Sequence, residues 1–330
     1  MYSAATIPYH LRPLKAIERN LFSILLKKLD RYSRIDISKY QYIGFGAPFF
    51  EDFKMMHLDF GITKMHCIEY DNSAFTRQVF NKPYYFIKLF NMPCTEYMST
   101  SFNYSGKKLI WLDFASPREL AQQLTDIELT ARNLDNLDIV KFTFNANLLA
   151  YGCRDNFEKF LDKLSSEPTF QLYIPDTITT RDIAEDFPAV IRAMAVRAVK
   201  RGISASGREL NFNHLVSFNY ADGQLMTTVT GIITGSDVFS EILKQSQLSK
   251  WEFYESIPGN EILKGHEILA PVMTFEERKA VDKLIPHRDL KRLCQKIKFT
   301  LDRDEEINFK LIEGYYKYYK YLPSFSKITF

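Results

Sequence analysis

Apolar residues recur along the chain at two spacings, and the alternation between them outlines the fold. Leu14, Ile17, Leu21, Ile24 and Leu25 fall on one helical face, with Arg19, Lys27, Lys28 and Arg31 on the rest. This predicts an amphipathic first helix that docks by its apolar stripe. The run Tyr40 to Phe45 stops at Gly44-Phe45-Gly46-Ala47-Pro48, the pattern of a buried strand entering a tight turn. Phe50 to Phe60 reads as a helix closed by Gly61. Further strands are expected at Lys64 to Glu69, Tyr85 to Phe90, Lys108 to Asp113 and Asp138 to Asn145. Helices are expected from Pro117 to about Arg132 and from about Asp155 to Leu164. Strands alternating with helices predict an α/β fold with a mostly parallel sheet.

The pattern then changes. A long helix around Ala189 to Arg201, capped by Gly202, precedes two β-rich runs flanking Asp222-Gly223, a strong hairpin signal. From Ser236 onward no strand alternation is visible, and a helix is expected over Thr274 to Leu284, before Pro286. In the tyrosine-rich end, Ile312, Tyr315, Tyr316, Tyr319 and Leu322 share one helical face. That spacing favours a helix docked on its own domain or on a partner over a base-stacking platform. Three segments are expected: an N-terminal helical segment (1–37), an α/β domain (38–235) and a helical C-terminal extension (236–330). The extension is expected to cover one edge of the core and to supply a homodimer or protein-partner interface.

Composition narrows the class. Of 330 residues, 46% are hydrophobic and 25% charged, which supports a packed core and excludes a disordered or fibrous chain. A net charge of +3 demands no polyanionic partner. Locally, Arg192, Arg197, Lys200, Arg201 and Arg208 lie in a stretch without any acid. They read either as a nucleic-acid contact or as the solvated face of a helix. The cysteines Cys67, Cys94, Cys153 and Cys294 form no CxxC pair, so reduced thiols in a cytoplasmic protein are expected. Neither a signal sequence nor a membrane-spanning run is visible. The six histidines show no metal spacing, and GxSxG and GxxxxGK[ST] motifs are absent.

Candidate chemistry gathers at the strand ends, where open α/β sheets bind ligands. The first strand ends in Gly44 and Gly46, the second in Glu69-Tyr70-Asp71, the third leads into Asn91-Met92-Pro93-Cys94, and the fourth ends in Asp113. A glycine turn followed some 23 to 25 positions later by an acid is the spacing of a nucleoside site. Glu69 and Asp113 each also read as helix caps, and Cys94 as a small buried hydrophobe.

Together these residues resemble the class I, Rossmann-like, S-adenosylmethionine-dependent methyltransferases over about residues 38 to 235, the terminal hairpin included. YIGFGAPFFEDFKMMHLDFGITKMHCIEYD is similar to the opening of a group of bacterial O-methyltransferases, some encoded beside phage-defence genes. The resemblance implies a seven-stranded sheet, S-adenosylmethionine as cofactor and a role in antiviral defence. It places Gly44 and Gly46 along the methionine and ribose, Glu69 on the ribose hydroxyls, Met92 and Cys94 near the adenine, and Asp113 facing methyl donor and substrate. The family's acidic-x-Gly-x-Gly-x-Gly motif here runs from Tyr42 to Pro48, without the acid or the third glycine. Two readings follow. Either Glu51, Asp52 or Asp113 takes over from the missing acid, or the chain is an inactive binding or regulatory subunit that keeps the fold.

Overall fold

A strand that is apolar at nearly every position needs cover on both faces, and β4 (Lys108–Asp113) and β5 (Ile139–Asn145) have it. In β4, Ile110 and Leu112 enter one apolar cluster, while Leu109 and Trp111 enter another on the opposite face. The structure is a computed structural model. It describes residues 12–322 apart from 103–105, 115, 152–159, 161, 163–165, 167, 177, 255–263 and 287–288. The helix expected over Asp155 to Leu164 lies largely outside the described residues.

Among the described residues the strands form one sheet in the order β3-β2-β1-β4-β5-β7-β6-β8. β1 (Gln41–Gly44), β2 (Lys64–Glu69), β3 (Ile87–Asn91), β4 and β5 are parallel. β6 (Asn211–Ala221) and β7 (Leu225–Thr234) form the antiparallel hairpin around Asp222-Gly223, and β7 inserts between β5 and β6. The mostly parallel Rossmann-like sheet with a terminal hairpin is therefore present, but with eight strands rather than seven. The addition is β8 (His266–Glu267), which pairs with β6 at Phe218 and Asn219 inside the stretch expected to lack strands. Two residues are too few to show alternation.

Helices α4 (Cys94–Thr100), α5 (Leu120–Asn133) and α6 (Thr180–Ala205) cover one face of the sheet. The other face is covered by α1 (Pro13–Leu29), α2 (Glu51–Phe60) and the C-terminal residues Ile242, Trp251, Phe253, Ile268 and Tyr318. The three expected segments thus share this second core. α3 (Asn72–Asn81), flanking β2 and β3, escapes a periodicity reading because Gln78 is its one buried residue among those described. Next come α7 (Val238–Ser246), α8 (Phe275–Asp282), α9 (Leu290–Lys296) and α10 (Glu305–Tyr318).

Two expectations change. Gly202 does not cap α6 but lies inside it, where a Cβ would come within 2.3 Å of the Glu128 carbonyl on α5. Glycine here permits close helix contact. In α10 the buried set is Ile312, Tyr315 and Tyr318, with Tyr316 and Tyr319 half-buried. Tyr315 donates to Asp282 at 2.5 Å and Tyr318 to the Glu267 carbonyl at 2.8 Å. These tyrosines dock the helix on its own chain.

Replacing Gly202 by alanine should cost about 1–3 kcal/mol by overpacking the α5–α6 contact. Urea unfolding should show a lower midpoint at an unchanged slope.

Candidate functional site

Parallel strands end together, so β1 to β4 bring their C-terminal residues to one rim. Gly44 pairs in register with Cys67 and Trp111, and Glu69 with Asn91. Glu69 and Asp113 flank the β1 loop on opposite sides, about 10 Å apart by two strand spacings. The loop is tightly seated. A Cβ at Gly44 would lie 2.8 Å from the Trp111 carbonyl, and one at Gly46 would lie 2.7 Å from Cys67 Sγ. Ala47 (φ 41) and Phe50 (φ 51) hold left-handed backbone without being glycine, so the loop stores strain beside the rim.

On the β2 side, Glu69 is half-buried and one oxygen accepts from the Asp71 backbone at 2.9 Å. Burial raises its carboxyl above the ordinary value, although the backbone N–H groups of Asp71 and Tyr70 oppose this. Asp71, not Glu69, caps α3, accepting from Ala74 at 2.7 Å. Met92 is half-buried and Cys94 buried at the start of α4. Burial, then the charge of Asp126, pushes the Cys94 thiol well up, which makes it a packing group and not a thiolate. Asp126 itself is raised to about 6, chiefly by burial.

On the β4 side the rim is roofed by α1. Lys15 reaches Asp113 at 3.0 Å, and Arg19 lies 2.5 Å from Asp52 and 3.9 Å from Asp113. Deeper in, Lys141 of β5 is fully buried 2.6 Å from Glu18, with its Nζ 3.4 Å from the centre of the Trp111 ring. Burial would raise the Asp113 carboxyl. The charges of Lys15 and Arg19, the hydrogen bond from Lys15 and the charge of Lys141 outweigh it and hold that carboxyl low. Burial pulls the Lys141 ammonium down to about 8, against the opposing charge of Glu18. Three cations and three anions therefore meet beneath one helix. The first turn of α1 is held too, because Asp222 of the hairpin accepts from the Leu14 and Lys15 backbone at 3.3 and 2.7 Å.

The rim thus assembles Gly44, Gly46, Glu69, Met92 and Cys94 on one side of the β1 loop and Asp113 on the other. Sequence reading missed Lys15, Arg19, Lys141 and Asp222. Arg19, off the apolar stripe of the first helix, is buried against Asp52. The charges at 15, 18 and 19 beside an apolar stripe were the available signal. The basic stretch at 187–208 is also reassigned. Arg192 is fully buried and donates to Asn219 and Thr227, both at 2.6 Å. Arg201 pairs with Glu128 at 3.2 Å, Arg197 donates to the Leu172 carbonyl at 3.2 Å and Arg208 donates to the Leu134 carbonyl. Arg192 thus joins α6 to the hairpin and Arg201 joins α6 to α5, while Arg197 and Arg208 hold neighbouring backbone. Among the described residues no His, Cys, Asp and Glu cluster could hold a metal, and no helix is long and apolar enough to cross a membrane.

The Lys141–Glu18 pair does not meet hydrogen-bond geometry, so charge and contact hold it. Lys141→Met alone leaves Glu18 buried and uncompensated, and should cost about 3–5 kcal/mol in urea unfolding. The double variant Lys141→Met with Glu18→Leu should return stability to the starting level or above.

A family model described as "Putative O-methyltransferase" matches residues 7–330. No curated protein matches the chain. Among solved structures, Trm1 from Pyrococcus horikoshii with S-adenosyl-L-methionine is 12% identical, covers 92% of this chain and 76% of its own, and has a TM-score of 0.44. The N-methyltransferase NodS from Bradyrhizobium japonicum with S-adenosyl-l-homocysteine is 10% identical, covering 66% and 87%, with a TM-score of 0.36. The O-methyltransferase TomG from Streptomyces achromogenes is 9% identical, covering 67% and 90%, with a TM-score of 0.35. At those scores the structural likenesses carry no argument. The family match spans almost the whole sequence, and on that ground the chain belongs to the Putative O-methyltransferase family.

Proposed function

We propose that the rim binds S-adenosylmethionine across the β1 loop and transfers its methyl group to an oxygen acceptor held beneath the first turn of α1. The observation that carries this reading is the half-buried Glu69 carboxylate at the tip of β2, beside a glycine loop and one strand from Met92 and Cys94. The donor set suits the ligand's parts. A carboxylate accepts two vicinal hydroxyls, a thioether and a buried thiol offer an apolar bed for a purine, and paired charges of both signs match an amino-acid zwitterion. Tyr42 stands fully buried where the family's first acid would be, so Asp52 and Asp113 are the carboxylates nearest the methionine end.

Bound there, S-adenosylmethionine supplies an electrophilic methyl group on a sulfonium. The chain's part is to hold and orient, which is where methyl transfer gains most of its rate. Asp113, kept ionised by Lys15 and Arg19, is a weak base and a good hydrogen-bond acceptor, suited to aligning a hydroxyl. Lys15 is both held by the hairpin through its backbone and bonded to Asp113 through its side chain, so it sets where that carboxylate points. Asn145 at the end of β5 and the 222–224 turn form the rest of the acceptor wall, and Asn147 donates to Gln224 at 3.0 Å across it.

Titration calorimetry with S-adenosylhomocysteine tests the cofactor half. Glu69→Ala should weaken binding by about 1.5–3 kcal/mol, the loss of hydrogen bonds to a charged acceptor. Because burial raises the Glu69 carboxyl, affinity should fall on acidification at a pH above the ordinary carboxylate value, as the charged form is lost. Glu69→Gln should flatten that dependence. Lys15→Met should lower turnover more than it weakens cofactor binding, since it loosens Asp113 and leaves Glu69 in place. Unchanged binding after Glu69→Ala would remove the reading.

A further inference from the structure

Charge is distributed unevenly along the chain. From Lys283 to Lys298 there are six cations (Lys283, Arg288, Lys291, Arg292, Lys296, Lys298) and one acid, Asp289, a net +5 in a chain whose total is +3. The remainder is therefore slightly negative. Among the described residues most of this excess is exposed. Leu293 of α9 is buried and Leu290 and Ile297 are half-buried, while Lys283, Lys291, Arg292, Lys296 and Lys298 are exposed. Asp289 caps α9 by accepting from the Arg292 backbone at 3.1 Å. In the acidic turn that follows, Asp304 caps α10 and Glu306 pairs with Lys310 at 2.8 Å.

The segment that carries this face is linked to the sheet through β8. β8 runs parallel to β6, whose last residue pairs across the hairpin with Leu225, so the chain leaving Glu267 emerges at the end of the sheet that carries Asp113 and Asn145. Leu269 then packs so closely on α10 that a Cβ at Gly314 would lie 2.4 Å from its carbonyl. α9 in turn packs on α10.

We infer that the exposed face of α9, with Lys283 and Lys298, docks the phosphodiester backbone of a nucleic acid and leads it towards the rim. A protein partner calls for an apolar or aromatic centre and few lysines. A nucleic-acid face is polar and strongly positive, and on α9 the apolar residues turn inward while the cations turn out. As a docking surface this stands without the cofactor reading. As the carrier of the acceptor oxygen it rests on that reading.

Fluorescence anisotropy of labelled single-stranded RNA and DNA, each about 20 nucleotides long, against the full chain without methyl donor tests it directly. With up to five cations engaged, the slope of log affinity against log salt should lie between about −2 and −3.5, at roughly −0.7 per neutralised phosphate on a single strand. Lys291→Glu with Arg292→Glu and Lys296→Glu should weaken binding at least about tenfold. Neutralising the same three to glutamine should give a smaller loss, and Lys200→Glu, an exposed cation on α6, should leave affinity unchanged. A stronger response to RNA or to DNA names the source. The inference is overturned by absent binding at low salt, by a salt-independent affinity, by an equal loss from Lys200→Glu, or by polyglutamate displacing the strand as well as unlabelled RNA or DNA does, which would indicate an acidic protein instead. None of these outcomes depends on Glu69 or on cofactor binding.

Discussion

The contact on which the rest of this rim depends is the one between α1 and the ends of β4 and β5. Lys15, Glu18 and Arg19 occupy three of five consecutive positions on one helix, and each meets an opposite charge from a different element: Asp113 of β4, Lys141 of β5 and Asp52 of α2. Buried charges tolerate little displacement, because separating a pair in a low-dielectric interior leaves each ion unsolvated. The apolar stripe of α1 would allow several dockings on the same sheet face. The ion pairs select one. They thereby set the height of the roof over the rim and the protonation state of the carboxylate beneath it.

The family's first acidic residue is absent from this rim. Tyr42 fills the vacated position with a buried ring packed on Phe53. Negative charge reaches the rim from Asp52 and Asp113 instead, each tied to a cation on α1. The site is therefore not carried by the α/β core alone. Glu69, Met92 and Cys94 lie on the β2 and β3 side, whereas Asp113 is held between β4 and α1, elements far apart in the chain.

Much of the frame was legible in the sequence because its signals are local. Glycines after β1, the apolar runs of β2, β4 and β5, and Asp222-Gly223 each prescribe backbone behaviour within a few residues, and all appear where expected. Glu69 and Asp113 were legible as candidates for the same reason, since a residue that ends a parallel strand must reach the rim. α3 was not legible, because it has almost no buried face, and β8 was not, because two residues carry no period. Which cations of the basic stretch at 187–208 act internally was not legible, because charge along a helix does not say so, and Arg192 is enclosed between α6 and the hairpin.

What the sequence determined by itself was the order of the main strands and helices and the residue types at the C-terminal ends of the parallel strands. Strand and turn propensities are short-range, and they act before any tertiary contact forms. Only the tertiary structure decided that Arg19 faces inward, that Asp113 is paired and not free, that Asp222 anchors α1 across some two hundred residues, and that Gly202 serves a helix crossing. Those outcomes depend on which charges lose their water together, and a one-dimensional pattern does not contain that information.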